Sequence, residues 1–519
     1  MSPELLWLVA MTVAVLAGIL SGIPVMLVIA GVPTAVALLA SQAGHFDLGY
    51  FGAVPQRVFG TMQNPLLIAV PLFVLVGVLL DRSKQAERML TNINRLFGGT
   101  PTGLAFSVIV VSALIAASTG IIGATIVMLG TISLPTLLRA GIDKRTSSGL
   151  ICACGTLGQI IPPSIVLILL GDQVSNAYIE AQQAVGNFAP EPVTVGDLFA
   201  GAMLPGLMLV ALYALYVAWR LRATKPPQAV EPPPGPDMSL ADTLAGILPT
   251  LALIISVLGS ILMGLATPTE AAGVGVAGAM LVAAAQISAR LRWIALATAT
   301  LALALLAASH YGLVGVEFTA GLLVATPGTL VAVGLLGLLG AGLLAAAIAL
   351  VRARILIPAI TETLTVSGMI FGIIIAASIL SLVFRAFGGD EMVADVMHNL
   401  PGGAWGMLAI TMLVVFLLGF ILEFVEIIFI VIPIIGPVLL QADIDPVWFA
   451  ILIAMNLQTS FLTPPFGFAL FYFRSVAPRS LTTGDIYRAI VPFVVIQLLA
   501  IAILAMFPAL ATWLPGVLF

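Results

Sequence analysis

Apolar runs about 20 residues long, each the length of a membrane-spanning helix, follow one another from end to end of this chain. They leave room for roughly 12 to 16 membrane-embedded segments, half-crossings included. Two of the runs are interrupted. "GTLGQIIPPSIVLILLGD" (155–172) and "QTSFLTPPFGFALFYF" (458–473) each hold adjacent prolines where a helix would otherwise continue. Proline lacks the backbone donor and clashes with the preceding turn, so each run predicts a helix that stops and a half-helix that restarts. Pro162 and Pro163 should free the carbonyls around Gly158 to Ile161 and leave Ser164 near the new N-terminus; Pro464 and Pro465 should act likewise. Freed carbonyls can coordinate a dehydrated cation, and the positive end of a half-helix attracts an anion.

The two interruptions belong to a repeat. At an offset of 302 residues Pro162 and Pro163 fall on Pro464 and Pro465, and "LPTLLRAGID" (134–143) lies over "GPVLLQADID" (436–445) without a gap. Twelve of the forty positions from 126 to 165 agree; Leu and Ile identities are cheap here, so the weight rests on three prolines and the aligned Asp. Lys and Arg accumulate on the cytoplasmic side of membrane segments. "RAGIDKR" in the first copy is basic, whereas "QADIDPV" in the second has no basic residue. After the prolines the bias reverses: 172–197 holds four acidic residues and no Lys or Arg, while "FRSVAPRS" carries Arg474 and Arg479. The copies therefore read as inverted, the arrangement of secondary transporters with discontinuous helices near the midplane.

Each copy reads as a hairpin, a short loop and a broken helix. Thr102 to Leu138 is too long for one span and basic at both ends, so it should enter and return on one side, with its tip at "ASTG" (117–120). The second hairpin, Trp405 to Leu440, has "ILEFVEIIF" at its tip. Glu423 and Glu426 lie three apart on one helix face, where carboxylates either bind Na+ or H+ or solubilise a tip that meets external solution. Asn456, Gln458, Thr459, Ser460 and Thr463 crowd the second broken helix, a polar density that favours a binding site over packing. "ATPTEAAGVG" (266–275) reads as a helix start, with Thr267 as N-cap, Pro268 at N1 and Glu270 closing a capping box.

Composition adds to this picture mainly by exclusion. With 61% hydrophobic and 8% charged residues the chain is a polytopic membrane protein, and its 50 Gly and 33 Pro suit helices that pack closely and break. A net charge of −4 without a basic run argues against a nucleic-acid partner. Cys152 and Cys154, the only cysteines, sit in an apolar segment and read as buried thiols. The first 20 residues carry Glu4 where a cleavable signal would be basic and read as a retained span; residues 1–40 form either one long tilted helix or two broken near Gly22 to Pro24. An intramembrane enzyme lacks support, since HExxH, GxGD and GxSxG motifs are all missing.

With these residues in hand, the chain resembles the large membrane subunit of TRAP transporters, the tripartite secondary transporters that depend on a periplasmic binding protein. The resemblance rests on "ASTGIIGATIVMLGTISLPTLLRAGIDKRTSSGLICACGTLGQIIPPSIVLILLGD", "ATPTEAAGVGV", "SLVFRAFGGDEM", "EFVEIIFIVIPIIGPV" and "NLQTSFLTPPFGFALFYFRSVAP", in family order across most of the chain. The last of these and "FVEIIF" are similar to the branch labelled mannitol/chloroaromatic type. The resemblance implies an all-α fold of inverted repeats, with two re-entrant hairpins and two broken helices, working as an elevator-type transporter like others of the ion transporter superfamily. It implies Na+ as coupling ion, a separate small membrane subunit (DctQ-like), a periplasmic substrate-binding protein (DctP-like), small organic anions, carboxylates above all, as substrate, and a bacterial or archaeal inner membrane. By analogy sodium would lie at Ser118, Thr119, Gly120, Gly158 and Gln159 and at Ser460 and Thr463. The transport path would take in Thr125, Pro162, Pro163, Ser164, Glu423, Glu426, Asn456, Gln458, Thr459, Pro464 and Pro465. An H+-coupled carrier of the same fold, using Glu423 or Glu426, is the alternative.

On this reading the chain divides into N-terminal scaffold helices (1–95), a first repeat (96–175), scaffold and connecting helices (176–293) with a proline-rich linker at 225–237, an arm helix with an external loop (351–403), a second repeat (404–478) and a C-terminal helix (479–519). One departure stands out: 294–350 inserts two extra hydrophobic runs around His310, between flanks that are both basic. An even number of added spans preserves the topology.

Overall fold

A computed structural model of the chain describes residues 3–97, 100–119, 122–223, 240–312, 318–319, 322–323, 326–465 and 467–519. Among these the architecture is helical, as expected; the one exception is a two-residue antiparallel ladder, Phe318–Thr319 with Leu322–Leu323, inside the insertion. Ten of the described helices are long and apolar enough to cross a membrane. The chain starts with two helices, Pro3–Leu20 and Val25–Gln42, and not one. Gly22 turns between them at φ +82°, a conformation that costs glycine nothing, and Pro24 cannot continue a helix.

Burial separates a centre from a periphery. The helix Pro446–Leu462 is buried at every position from Val447 to Leu462, and Lys144–Thr156 at every position from Thr146 onward. A helix enclosed on all faces belongs to a core, so the two segments that lead into the proline breaks are the middle of the molecule. The inserted helices, Ala289–His310 and Pro327–Arg352, are the opposite case, each with only 11% of its span buried. They pack on each other and on Pro268–Ala285, and their length of about 33 and 39 Å, at 1.5 Å per residue, suffices to span a bilayer. Pro268–Ala285 begins at the expected capping box: Thr267 N donates to Glu270 Oε2 at 2.8 Å, and Glu270 N to Thr267 Oγ1 at 3.3 Å. The linker 225–237 lies outside the described residues.

Both copies of the repeat fold into the same order of elements. The first hairpin is Pro101–Thr119 and Ile122–Arg139, the second Gly403–Leu418 and Phe424–Leu439. The helices that follow, Lys144–Thr156 and Pro446–Leu462, start at matched positions, and the aligned aspartates cap both: Thr146 N donates to Asp143 Oδ1 at 2.6 Å, Trp448 N to Asp445 Oδ1 at 2.8 Å. Beyond the breaks come the half-helices Ile165–Ala184 and Phe468–Val476. The correspondence then runs further than the sequence comparison reached. Thr194 with Asp197 opens Val195–Ala223, and Thr482 with Asp485 opens Thr483–Met506, by the same hydroxyl-carboxylate pair.

The copies interlock. Ile122–Arg139 of the first packs on the half-helix Phe468–Val476 of the second, and Phe424–Leu439 of the second packs on Ile165–Ala184 of the first. This exchange, in which each element meets the counterpart of its own neighbour, is the reciprocity of a two-fold relation. Close approach is bought with glycine at Gly123, where an added Cβ would lie 2.8 Å from the Tyr472 ring.

Candidate functional site

The two broken segments meet at one point. Gln458 Nε2 donates to Thr156 Oγ1 at 3.3 Å, and these residues are 302 apart, so each touches its own counterpart in the other copy. A residue can do that only where the relating axis passes. Directly after Thr156 the chain tightens into the 3-10 turn Leu157–Gln159, breaks over 160–164 and restarts at Ile165. Pro162 and Pro163 are buried, joined by a cis peptide bond, and supply no N–H for the carbonyls of Gly158 and Gln159. Ser164 Oγ donates to the Gln159 carbonyl at 3.0 Å across the break. The Gln159 side chain is wholly buried, and neither its Oε1 nor its Nε2 has a partner among the described residues. Gly158 is buried beside it.

The second break is similar in plan and different in exposure. Pro446–Leu462 ends at Leu462, Pro464 and Pro465 are again joined cis, and Phe468 begins the short half-helix. Here Thr463 and Pro464 are half-buried and Pro465 is exposed, whereas the whole of the first break from Pro162 to Ser164 is buried. The hydroxyls on the approach all bond backward: Thr459 to Met455 O at 2.8 Å, Ser460 to Leu457 O at 2.8 Å, Thr463 to Thr459 O at 2.7 Å. A hydroxyl that spends its proton on its own helix presents only lone pairs outward, which is what a cation requires. Asn456 Nδ2 donates to Met412 O at 2.6 Å and so ties this segment to the second hairpin. Replacing Asn456 by Ala leaves that carbonyl without its donor; a loss of about 1–2 kcal/mol is expected, read as a lower unfolding midpoint of the purified protein.

The tip of the second hairpin closes on the segment that leads into its break. The turn of the second, 419–423, brings Gly419 against Ser460 Oγ so closely that a Cβ there would overlap it. Glu423 occupies the N-cap position of Phe424–Leu439, and its N–H donates to the carboxylate of Glu426, which is buried. In the first hairpin the two helices end at Thr119 and begin at Ile122, and Pro101–Thr119 packs on the 3-10 turn Leu157–Gln159. Ser118 and Thr119 end that helix, but their side chains, and all of Gly120, lie outside the described residues. Thr125 is buried in the first turn of Ile122–Arg139.

One part of the centre escaped the reading of the sequence. Gln497 Nε2, from Thr483–Met506, donates to Tyr213 OH of Val195–Ala223 at 2.8 Å and approaches Thr156 Oγ1 at 3.4 Å. Tyr213, Thr156, Gln458 and Gln497 are each at most 1% exposed, and they join both broken segments to the two helices that follow them. The signal was present as a lone glutamine in "VVIQLLAIAIL", since an amide in so apolar a span needs a partner.

Comparison with known proteins agrees with this architecture. Among solved structures, the YdaH transporter of Alcanivorax borkumensis superposes with a TM-score of 0.53 at 14% identity, covering 88% of each chain. MtrF of Neisseria gonorrhoeae does so with a TM-score of 0.50 at 13% identity, covering 88% of this chain and 83% of that one. At such identities the likeness is one of fold. In sequence, the chain is 26% identical to the C4-dicarboxylate TRAP transporter large permease protein DctM of Pseudomonas aeruginosa, over 89% of this chain and 88% of the relative. It is 24% identical to the ectoine TRAP transporter large permease protein TeaC of Halomonas elongata, over 95% and 97%. The family model described as "Tripartite ATP-independent periplasmic transporter, DctM component" matches residues 9–510. The resemblance first carried by the double prolines and their flanks thus extends over nearly the whole length: the chain belongs to the DctM family of TRAP transporter large permeases, and is a transport protein, not an enzyme.

Proposed function

We propose that this permease carries small organic anions of the carboxylate class across a bacterial or archaeal inner membrane, coupled to Na+, by an elevator movement of its repeat core. The observation that carries this reading is the meeting of two proline-broken segments at Thr156 and Gln458, which sets both breaks around one centre. Around that centre lie the carbonyls released by the prolines and the outward lone pairs of Thr459, Ser460 and Thr463, a neutral oxygen set suited to a weakly held monovalent cation. The N-termini of Ile165–Ala184 and Phe468–Val476 supply positive potential for a carboxylate. The second hairpin supports re-entrance. Its helices of 16 residues each are about 24 Å long, short of a hydrocarbon core of about 30 Å, so they would enter and return.

In this scheme a periplasmic binding protein delivers the anion and a separate small membrane subunit completes the assembly, as the word tripartite in the family description implies. Relatives named for C4-dicarboxylates and for ectoine place substrate choice beyond the family level. The H+-coupled alternative assigns titration to Glu423 or Glu426. The Glu426 carboxylate accepts from Glu423 N–H at the start of its helix. The test is uptake into proteoliposomes holding this chain and the small subunit, with binding protein outside. Collapsing the inward Na+ gradient at fixed pH should cut uptake roughly tenfold or more. Uptake driven as well by a pH gradient without sodium would instead support the alternative.

A further inference from the structure

The half-helix Ile165–Ala184 carries two carboxylates that each take a partner from a helix or loop outside both repeats. Asp172, only 7% exposed, accepts from Asn64 Nδ2 at 2.7 Å and from its neighbour Gln173 Nε2 at 2.8 Å. Asn64 in turn caps Pro65–Arg82, its Oδ1 accepting from Leu66 N at 3.0 Å. About two turns further along, Glu180 receives Arg385 Nη1 and Nη2 on its two oxygens, at 2.9 and 3.1 Å. Arg385 stands at the end of Leu356–Ala386 and reaches the other copy as well, donating to Pro433 O of the second hairpin at 3.2 Å. Its Nε lies 3.3 Å from Asp390 Oδ2, and Arg57, which donates to Ser378 O of the same helix at 3.3 Å, adds a second positive charge to the group.

A charge placed in a mostly apolar helix is costly unless it is paired, and neither carboxylate is used to cap its own helix. Both instead tie the repeat core to helices that flank it, and one guanidinium touches both copies. From this we infer a two-point clasp: Asn64 with Asp172, and Arg385 with Glu180 and Pro433 O, hold the repeat core against the surrounding helices in the present conformation and open when the core moves. The inference rests on the alternating-access reading above. The exposure of the second pair fits a releasable contact, since the Arg385 and Glu180 side chains are 30% and 47% exposed and the pair is bidentate. The state described here has the clasp closed while the second break, at Pro465, is exposed.

The test is a distance measurement on the full chain in nanodiscs with its small subunit. Spin labels go on Phe188→Cys, 82% exposed in the loop after the half-helix, and Tyr50→Cys, 49% exposed on the 3-10 turn Leu48–Ala53; the native Cys152 and Cys154 are wholly buried and stay unlabelled. Arg385→Gln and Glu180→Gln should each move the ratio of the two distance populations by roughly threefold to tenfold away from the clasped one. Glu191→Gln, a change to an exposed carboxylate in the same loop, should leave it where it is. Two populations that respond to sodium but not to either clasp variant would overturn the clasp and leave alternating access standing. A single distance in every variant, with or without sodium and binding protein, would overturn the transport scheme on which the clasp depends.

Discussion

Replacing Gln159 by methionine is expected to leave the protein as stable as before or more stable, while sodium-driven uptake falls about 10- to 100-fold. The two halves of this expectation come from one observation: the Gln159 amide is fully buried and neither of its polar atoms meets a partner among the described residues. A buried amide left without partners costs about 1–3 kcal/mol. Methionine fills a similar volume without that cost, so a merely structural Gln159 would be a poor choice for the position. If the amide is kept for a ligand, its loss removes a hydrogen bond or an oxygen ligand that transport needs, and about 1.5–3 kcal/mol corresponds to the stated fall in uptake. Unfolding midpoint and uptake on the same preparation decide it. Retained uptake, or a midpoint lowered as if a cavity had been made, would count against a ligand role.

Converting either double proline to alanines should abolish uptake, by at least about 100-fold, in a protein that still elutes as a folded species. Each proline in a helix interior is about 3 kcal/mol less favourable than alanine, so removing two shifts the local balance by about 6 kcal/mol toward an unbroken helix. A continuous helix through 160–164 would recapture the carbonyls of Gly158 and Gln159 and draw Ser164 Oγ away from the Gln159 carbonyl that it now meets at 3.0 Å. Because the breaks are counterparts, Pro162→Ala with Pro163→Ala and Pro464→Ala with Pro465→Ala should be equally damaging. A second pair that retained most activity would show that the two breaks are not functional equals.

What the sequence made legible was whatever depends on local chemistry. Adjacent prolines cannot sit inside a helix, and the breaks fall where they were expected. Asp143 and Asp445, aligned between copies, turn out to be N-caps, which gives that pair a physical role in both copies. Gly22 and Pro24 marked the division of the first 40 residues without deciding it, because glycine is tolerated in membrane helices and only the left-handed turn at Gly22 makes the break. Contacts between distant helices were less accessible. Tyr213 and Gln497 are 284 residues apart and join through a side-chain bond that no local pattern encodes. In the sequence the repeat ends at the half-helices because those differ in length, 20 residues against 9, and only the capping pairs at Thr194 and Thr482 pick it up again.

The interlocking of the two copies has a consequence for how the chain is made. Part of the surface that each repeat must cover is supplied by the other, which is synthesised 302 residues earlier or later. At about 5–20 residues per second, the first copy waits on the order of 13 to 50 s in the membrane before Phe424–Leu439 arrives to cover Ile165–Ala184. Contacts so far apart along the chain carry a high loop-closure cost and form late. Biogenesis must therefore shelter a half-assembled core with a proline break and the buried amide of Gln159 at its heart, and an N-terminal half expressed alone should be a substrate for membrane quality control, while the two halves produced together should rescue one another.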